Sequence, residues 1–207
     1  MPKRTKFEDY KDAHENFVFE RFDDGVLLMR AHTDGGPLVW NAVSHDVMAD
    51  AFADVSGDRE VQCVVLTGTG ENFNADWGFL AVGAKDDSGE VEGAAVAAPP
   101  ADWKPALEFM DDLGWSGHNM LTNLLDIQVP VIAAVNGGCN MHAEVPLLCD
   151  IVLVSEDAWF QDQPHFPRGM VPGDGTHIAW PAVLGPIRAS YYLLTGQSID
   201  AQQALNY

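Results

Sequence analysis

The stretch VPVIAAVNGGCNMHAEVPLLCDIVLVSEDAWF, residues 129–160, decides how the chain folds. Two short apolar runs, VIAAV (131–135) and IVLV (151–154), are rich in β-branched residues. Runs of that length and make-up are expected of strands inside a sheet covered on both faces. Between them HAEVPLL predicts a short helix, and Pro130 ends the helical spacing of WSGHNMLTNLLDIQ (115–128). Strand, helix and strand in that order predict parallel pairing in an α/β fold.

The same grammar extends in both directions. VQCVVLTGTG (61–70) is another continuous apolar run, ending in glycine and feeding a loop. FVFERFDDGVLLMRAH (17–32) predicts a hairpin around Asp23, Asp24 and Gly25. SHDVMADAFADVSGDRE (44–60) has helical spacing, with Ser44 as the expected N-cap and Gly57 beyond the helix end. SYYLLTGQSIDAQQALNY (190–207) reads as a helix, a turn and the start of another helix. Residues 81–105 are acidic, rich in Ala and Gly, and carry Pro99-Pro100, which predicts a mobile insertion rather than a second domain. Residues 1–207 are therefore expected to form a single α/β domain with a mostly covered sheet.

Charge narrows the function classes. Eleven basic against 31 acidic residues give a net charge of −20. Such a chain cannot build the phosphate-tracking surface that nucleic-acid binding needs, and an anionic membrane surface would repel it. The polar N-terminus lacks the apolar core of a signal peptide, and no apolar run reaches the length of a membrane span. Cys63, Cys139 and Cys149 are odd in number and lack metal-type spacing, as in a reduced, cytoplasmic protein.

Three strand-to-loop transitions carry the residues that chemistry would use. ENFNADWGF follows the first apolar run, GCNMHAEVP the second, and QDQPHFPRGMVPGDGTH the third. Strand ends aim loops into a common crevice in α/β proteins. In the third loop, His165 and Asp174 are separated by nine positions rich in Pro and Gly, enough chain to fold back. A carboxylate on one ring nitrogen would fix the tautomer and leave the other to take a proton from water. The alternative is that Asp174 only shapes a Pro-Gly-Asp-Gly turn and caps the next helix. His142 and the amide of Met141 precede the short helix, where an oxyanion finds donors; a plain structural histidine is the alternative. Glu144 also suits the first turn of that helix. Trp40 and His45 are spaced to form a pocket wall, while His14, His32 and His118 have no evident partners and His177 is expected to face solvent. No HxH, HxxxH or CxxC spacing supports a metal.

Taken together, VVLTGTGENF, VPVIAAVNG…EVPLLCDIVLVSEDAWF and GMVPGDGTH…YYLLTGQSIDAQQAL resemble the crotonase (enoyl-CoA hydratase/isomerase) superfamily along almost the whole chain. The resemblance implies a spiral of ββα units, assembly as a homotrimer or a pair of trimers, and an oxyanion hole of two backbone amides, here Ala75 and Met141. It also implies a C-terminal helical region beyond Tyr207, important for trimer packing and contributing an acid to the substrate site. The chain departs from the CoA-processing pattern. Its second loop lacks the Gly-rich turn, its third has Pro164-His165 in place of a Pro-Glu pair, and PGAGG has become Pro172-Gly173-Asp174-Gly175. These departures are similar to the branch of 6-oxocamphor hydrolase and related β-diketone hydrolases. That branch's motifs are matched or nearly matched at Trp40, His45, Asp46, His142, Glu144, His165 and Asp174.

The resemblance implies hydrolysis of a carbon–carbon bond in a cyclic β-diketone, a retro-Claisen reaction yielding a keto acid. His165 and Asp174 would activate water, and His142 with the amides would hold the oxyanion. Trp40, His45, Trp77, Phe79, Glu144 and Phe166 would line the substrate pocket. No metal or organic cofactor is required, because the second carbonyl is the electron sink. Between Arg30 and Lys85 the chain has one basic residue, Arg59, so the phosphates of CoA are poorly served. The rival readings are an enoyl-CoA hydratase or isomerase using Glu144, and a non-catalytic assembly protein on the same fold.

Overall fold

A computed structural model describes residues 4–77 and 107–207. The expected acidic insertion at 81–105, and Phe79, lie outside the described residues.

The chain begins with α1 (Phe7–Tyr10), the hairpin strands β1 (Phe17–Arg21) and β2 (Val26–Ala31), and a short β3 (Val39–Trp40). Then come α2 (Ala42–Gly57), β4 (Cys63–Thr67), β5 (Asn72–Asn74), β6 (Asp76–Trp77) and α3 (Leu107–Leu125). Next are β7 (Val131–Val135), β8 (Gly138–Cys139), α4 (Glu144–Leu147), β9 (Ile151–Val154) and β10 (Trp159–Phe160). The last elements are α5 (Thr176–Leu184), α6 (Pro186–Thr195), β11 (Ile199–Asp200) and α7 (Ala201–Asn206).

Five strands form one sheet in the order β1-β2-β4-β7-β9. The hairpin pairs antiparallel, and β2, β4, β7 and β9 run parallel, each crossover passing through a helix. Alternation sets the faces: Leu27, Met29, Val64, Leu66, Val131, Ala133 and Val135 are buried. Helices α2 and α3 pack together, tied by Asn123 Nδ2 donating to the Ala49 carbonyl at 2.9 Å.

A second, smaller sheet has the order β11-β10-β8-β5. Each of β4, β7 and β9 is followed directly by one of its short parallel strands, β5, β8 and β10. This repeat places the three polar loops side by side at the ends of β5, β8 and β10. The approach is tight: a Cβ on Gly137 would lie 1.8 Å from the Glu71 carbonyl oxygen, so only glycine fits there.

Three expectations need correction. The strand at CDIVLVSE is not buried: β9 is the edge of its sheet, and Ile151 and Leu153 remain 49% and 58% exposed. An apolar run reports composition, not whether a neighbour covers it. Helix α2 is capped by Asn41, whose side chain accepts from the Ser44 amide while Ser44 Oγ accepts from the Asn41 amide. Ser44 thus sits inside the helix, and Gly57 is its last residue. His14 and His32 do have partners: His14 Nε2 lies 3.0 Å from Asp54 Oδ2, and His32 Nδ1 accepts from the Gly35 amide at 3.2 Å. Among the described residues, no helix is long and apolar enough to cross a membrane.

Candidate active site

The loops after β8 and β10 are laced together. The amides of Gln161 and Gln163 donate to the carbonyls of Cys139 and Asn140, and Asn140 Nδ2 donates to Gln163 Oε1 at 2.9 Å. The loop after β5 joins them, because Asn74 Nδ2 donates to the Met141 carbonyl. Ala75 and Met141, the expected oxyanion donors, therefore lie on segments bound to each other.

His165 is buried at the start of a 3-10 turn, Phe166–Arg168. Its Nε2 lies 3.2 Å from Asp174 Oδ2, so the fold brings the expected pair into contact. Its Nδ1 lies 2.6 Å from Asp162 Oδ1. Asp162 was not singled out by the sequence reading, although its spacing from His165 across Pro164 was visible. Its side chain is 3% exposed, against 21% for Asp174. Burial pulls the His165 pKa down, but the carboxylates of Asp162 and Asp174 outweigh it and raise the value to about 10. Burial likewise works to raise Asp174, yet the imidazoles of His165 and His142 hold it well below the usual carboxylate range.

Asp174 does not cap α5. The N-cap is Gly175, and Asp174 Oδ1 instead lies 3.1 Å from Thr176 Oγ1, sharing that hydroxyl's single hydrogen with the nearer Glu144 Oε2. Gly175 has φ +105°, and a Cβ there would lie 2.1 Å from Leu121 Cδ1. The glycine is what lets the turn present Asp174 this close to α3.

His142 adopts φ +47°, in the left-handed region that few non-glycine residues enter, histidine more readily than most. Its Nδ1 lies 2.5 Å from Glu144 Oε1 and 3.6 Å from Asp174 Oδ2. Burial alone would lower its pKa, but Glu144 reverses this and the ring's proton affinity is raised. Glu144 is fully committed in turn, its Oε2 accepting from Thr176 Oγ1 at 2.8 Å. It is a buried ion-pair partner, not simply a first-turn acid. His142, Glu144 and Asp174 bring ligand-type atoms within 4.8 Å of one another. Their mutual ion pairing and the Thr176 hydroxyl account for that grouping.

Trp40 and His45 complete the cluster. The Trp40 ring centroid is 4.7 Å from His142 and 5.8 Å from His45, and the two imidazoles are 4.8 Å apart. Trp40 is wholly buried, and its Nε1 has no hydrogen-bond partner among the described residues. His45 is equally buried, and its pKa falls to about 3 through burial and the neighbouring His142. Of the other expected pocket residues, Trp77 is described only by its backbone, which pairs with Trp40 in parallel register. Phe166 stays 37% exposed, and His177 is exposed as expected.

A parallel-sheet α/β fold of repeating ββα units, with a histidine–carboxylate network on the loops after β8 and β10 and the β5 loop bound to them, defines a crotonase-type protein. The enoyl-CoA hydratase/isomerase family profile matches residues 104–207, and the chain belongs to that family. In structure it is similar to a β-diketone hydrolase from the cyanobacterium Anabaena bound to (S)-3-oxocyclohexyl acetic acid. That likeness has 37% identity and a TM-score of 0.79, covering 96% of this chain and 72% of the other. An enoyl-CoA hydratase/isomerase from Mycobacterium paratuberculosis shares the fold at 23% identity and TM-score 0.73, covering 94% and 71%. In sequence the chain is 32% identical over 162 residues to a carnitinyl-CoA dehydratase of Citrobacter koseri, covering 77% of this chain and 54% of that protein. The chain thus spans about half the length of the curated relatives it matches.

Proposed function

We propose that the chain belongs to an enzyme that hydrolyses a carbon–carbon bond of a cyclic β-diketone, giving a keto acid. The observation that carries this reading is His165 held on both ring nitrogens by carboxylates, in one cluster with a second imidazole and a buried indole N–H that is unpaired among the described residues. Likeness to the Anabaena β-diketone hydrolase supports it.

In this reading Asp162 keeps Nδ1 of His165, because it is the more deeply buried acid and makes the shorter contact. The more exposed Asp174 yields Nε2 to a water. With one carboxylate withdrawn, the imidazole's proton affinity falls toward the range useful for general base catalysis. His165 takes one proton as the water oxygen attacks a carbonyl carbon. The tetrahedral intermediate collapses to a carboxylic acid as the bond to the central carbon breaks. The electron pair moves onto the second carbonyl as an enolate, and protonation at carbon completes the keto acid. His142, the Trp40 indole N–H and the amides at Ala75 and Met141 stabilise the oxygens that gain charge. Each such donor contributes on the order of 3 kcal/mol. Neither metal nor organic cofactor enters the reaction. A homotrimer or pair of trimers accompanies this reading.

The family profile and the dehydratase relatives favour a second reading, hydration or isomerisation of an acyl-CoA with Glu144 as acid–base. Both Glu144 oxygens are engaged by His142 and Thr176, which weighs against it. Incubating the protein with a bicyclic 1,3-diketone and, separately, with crotonyl-CoA separates the readings. Keto-acid formation lost in His165→Ala supports the first; hydration lost in Glu144→Gln supports the second. Reaction with neither favours a non-catalytic role.

A further inference from the structure

Apart from the contacts of His165 and His142, a second polar chain reaches the site through His45, whose ring centroid is 4.8 Å from that of His142. Ser116 Oγ, on α3, donates to Asp46 Oδ1 and lies 2.7 Å from His45 Nδ1. Ser116 and His45 are buried, and the three residues come from helices 71 positions apart in sequence.

Donor counting fixes the direction of this chain. A serine hydroxyl has one hydrogen, and a carboxylate can only accept. With that hydrogen spent on Asp46, the Ser116 oxygen offers a lone pair to the imidazole. Nδ1 of His45 must then carry the ring hydrogen, leaving Nε2 with a lone pair. A Cβ added to Gly117 would lie 3.7 Å from His45 Nε2 and 3.6 Å from Asp174 Cβ. The acceptor nitrogen and Asp174 therefore border the same spot beside Gly117.

We propose that Asp46 and Ser116 are positioning residues that lock His45 in its Nδ1–H tautomer, so that Nε2 accepts a hydrogen bond from a hydroxyl bound against the His165–Asp174 pair. The hydroxyl is that of the attacking water or of the tetrahedral intermediate it forms; this assignment of the ligand, though not the tautomer, rests on the diketone reading. His45 orients the hydroxyl without removing its proton, since burial and His142 keep the ring a weak base. Trp40 and His142 donate to substrate oxygens, and His45 accepts, which fixes which face of the bound carbonyl the water meets.

The test is a long-range ¹⁵N–¹H correlation spectrum of histidine-labelled protein at pH 7, with His45 assigned by loss of its peaks in His45→Gln. The expected result is a neutral ring with hydrogen on Nδ1. Hydrogen on Nε2, or a fully protonated ring, overturns the proposal. Ser116→Ala should destroy the single-tautomer signature, and Ser116→Thr should keep it. Asp46→Asn, whose amide can donate to the serine and reverse the chain, should shift population to Nε2–H. In diketone turnover, Ser116→Ala and Asp46→Asn should each lose about tenfold in kcat/KM, the worth of one hydrogen bond. Unchanged spectra in both variants overturn the relay. The expected spectra in a protein that cleaves no diketone leave the tautomer standing and sink the diketone reading instead.

Discussion

Asp162 Oδ1 lies 2.6 Å from His165 Nδ1, inside the protein and three residues away along the chain. This contact, with Asp174 on the other nitrogen, makes His165 unusual among the histidines of the site. An imidazole that donates from both nitrogens is a cation, and it acts as a base only after one acid lets go.

Asp162→Asn removes one of the two charges that hold the proton on His165. The His165 pKa should fall from about 10, read by NMR titration of the ring. Diketone turnover should drop by about ten- to a hundredfold as the orienting charge is lost. Unchanged ring titration would show that Asp162 is only a packing residue.

Stability should fall on both sides of about pH 6.5. His165 has a folded pKa raised above its unfolded value, so its contribution is complete below 6.5 and is lost as pH climbs toward about 10. His45 has a depressed folded pKa, so its contribution is present above 6.5 and is lost as pH falls toward about 3. Urea denaturation across that range should show the highest midpoint in the middle, and His165→Ala should flatten the alkaline limb.

Gly175→Ala should destabilise the protein by about 1–3 kcal/mol, because the left-handed φ is strained for alanine. The new methyl would also press on Leu121. Thermal unfolding checks the first effect. Since Asp174 precedes this glycine, turnover should fall as well, and normal activity in a folded variant would show that the turn does not set the Asp174 geometry.

Glu144→Gln breaks a buried contact to His142 and should cost about 3–5 kcal/mol, because one charge is left without its partner. That stability cost follows from the buried contact under either reading, and chemical denaturation measures it. Under the acyl-CoA reading the same change would in addition abolish thioester hydration, which a hydration assay of the folded variant detects.

The parallel sheet was legible because VQCVVLTGTG and VIAAV announce covered strands by composition alone. The His165–Asp174 contact was only permitted by the Pro- and Gly-rich loop between them, which equally suits a plain turn aspartate; the resemblance to the β-diketone hydrolase branch is what singled it out. Asp162 stands three residues before His165 across Pro164, near enough for a local contact, but that spacing alone does not distinguish an orienting acid from a turn aspartate. The Asp46–Ser116–His45 chain was not readable, because α2 and α3 meet through packing that no local pattern encodes. The exposure of β9 was hidden for a related reason: a strand's sequence does not state which edge of the sheet it occupies.

The most direct measurement is the product balance of purified protein given a non-enolisable bicyclic 1,3-diketone, beside its His165→Ala variant and a crotonyl-CoA control. One keto acid per diketone consumed, lost in the variant and with no hydration of the thioester, is the predicted result. Thioester hydration with the diketone untouched would contradict the account.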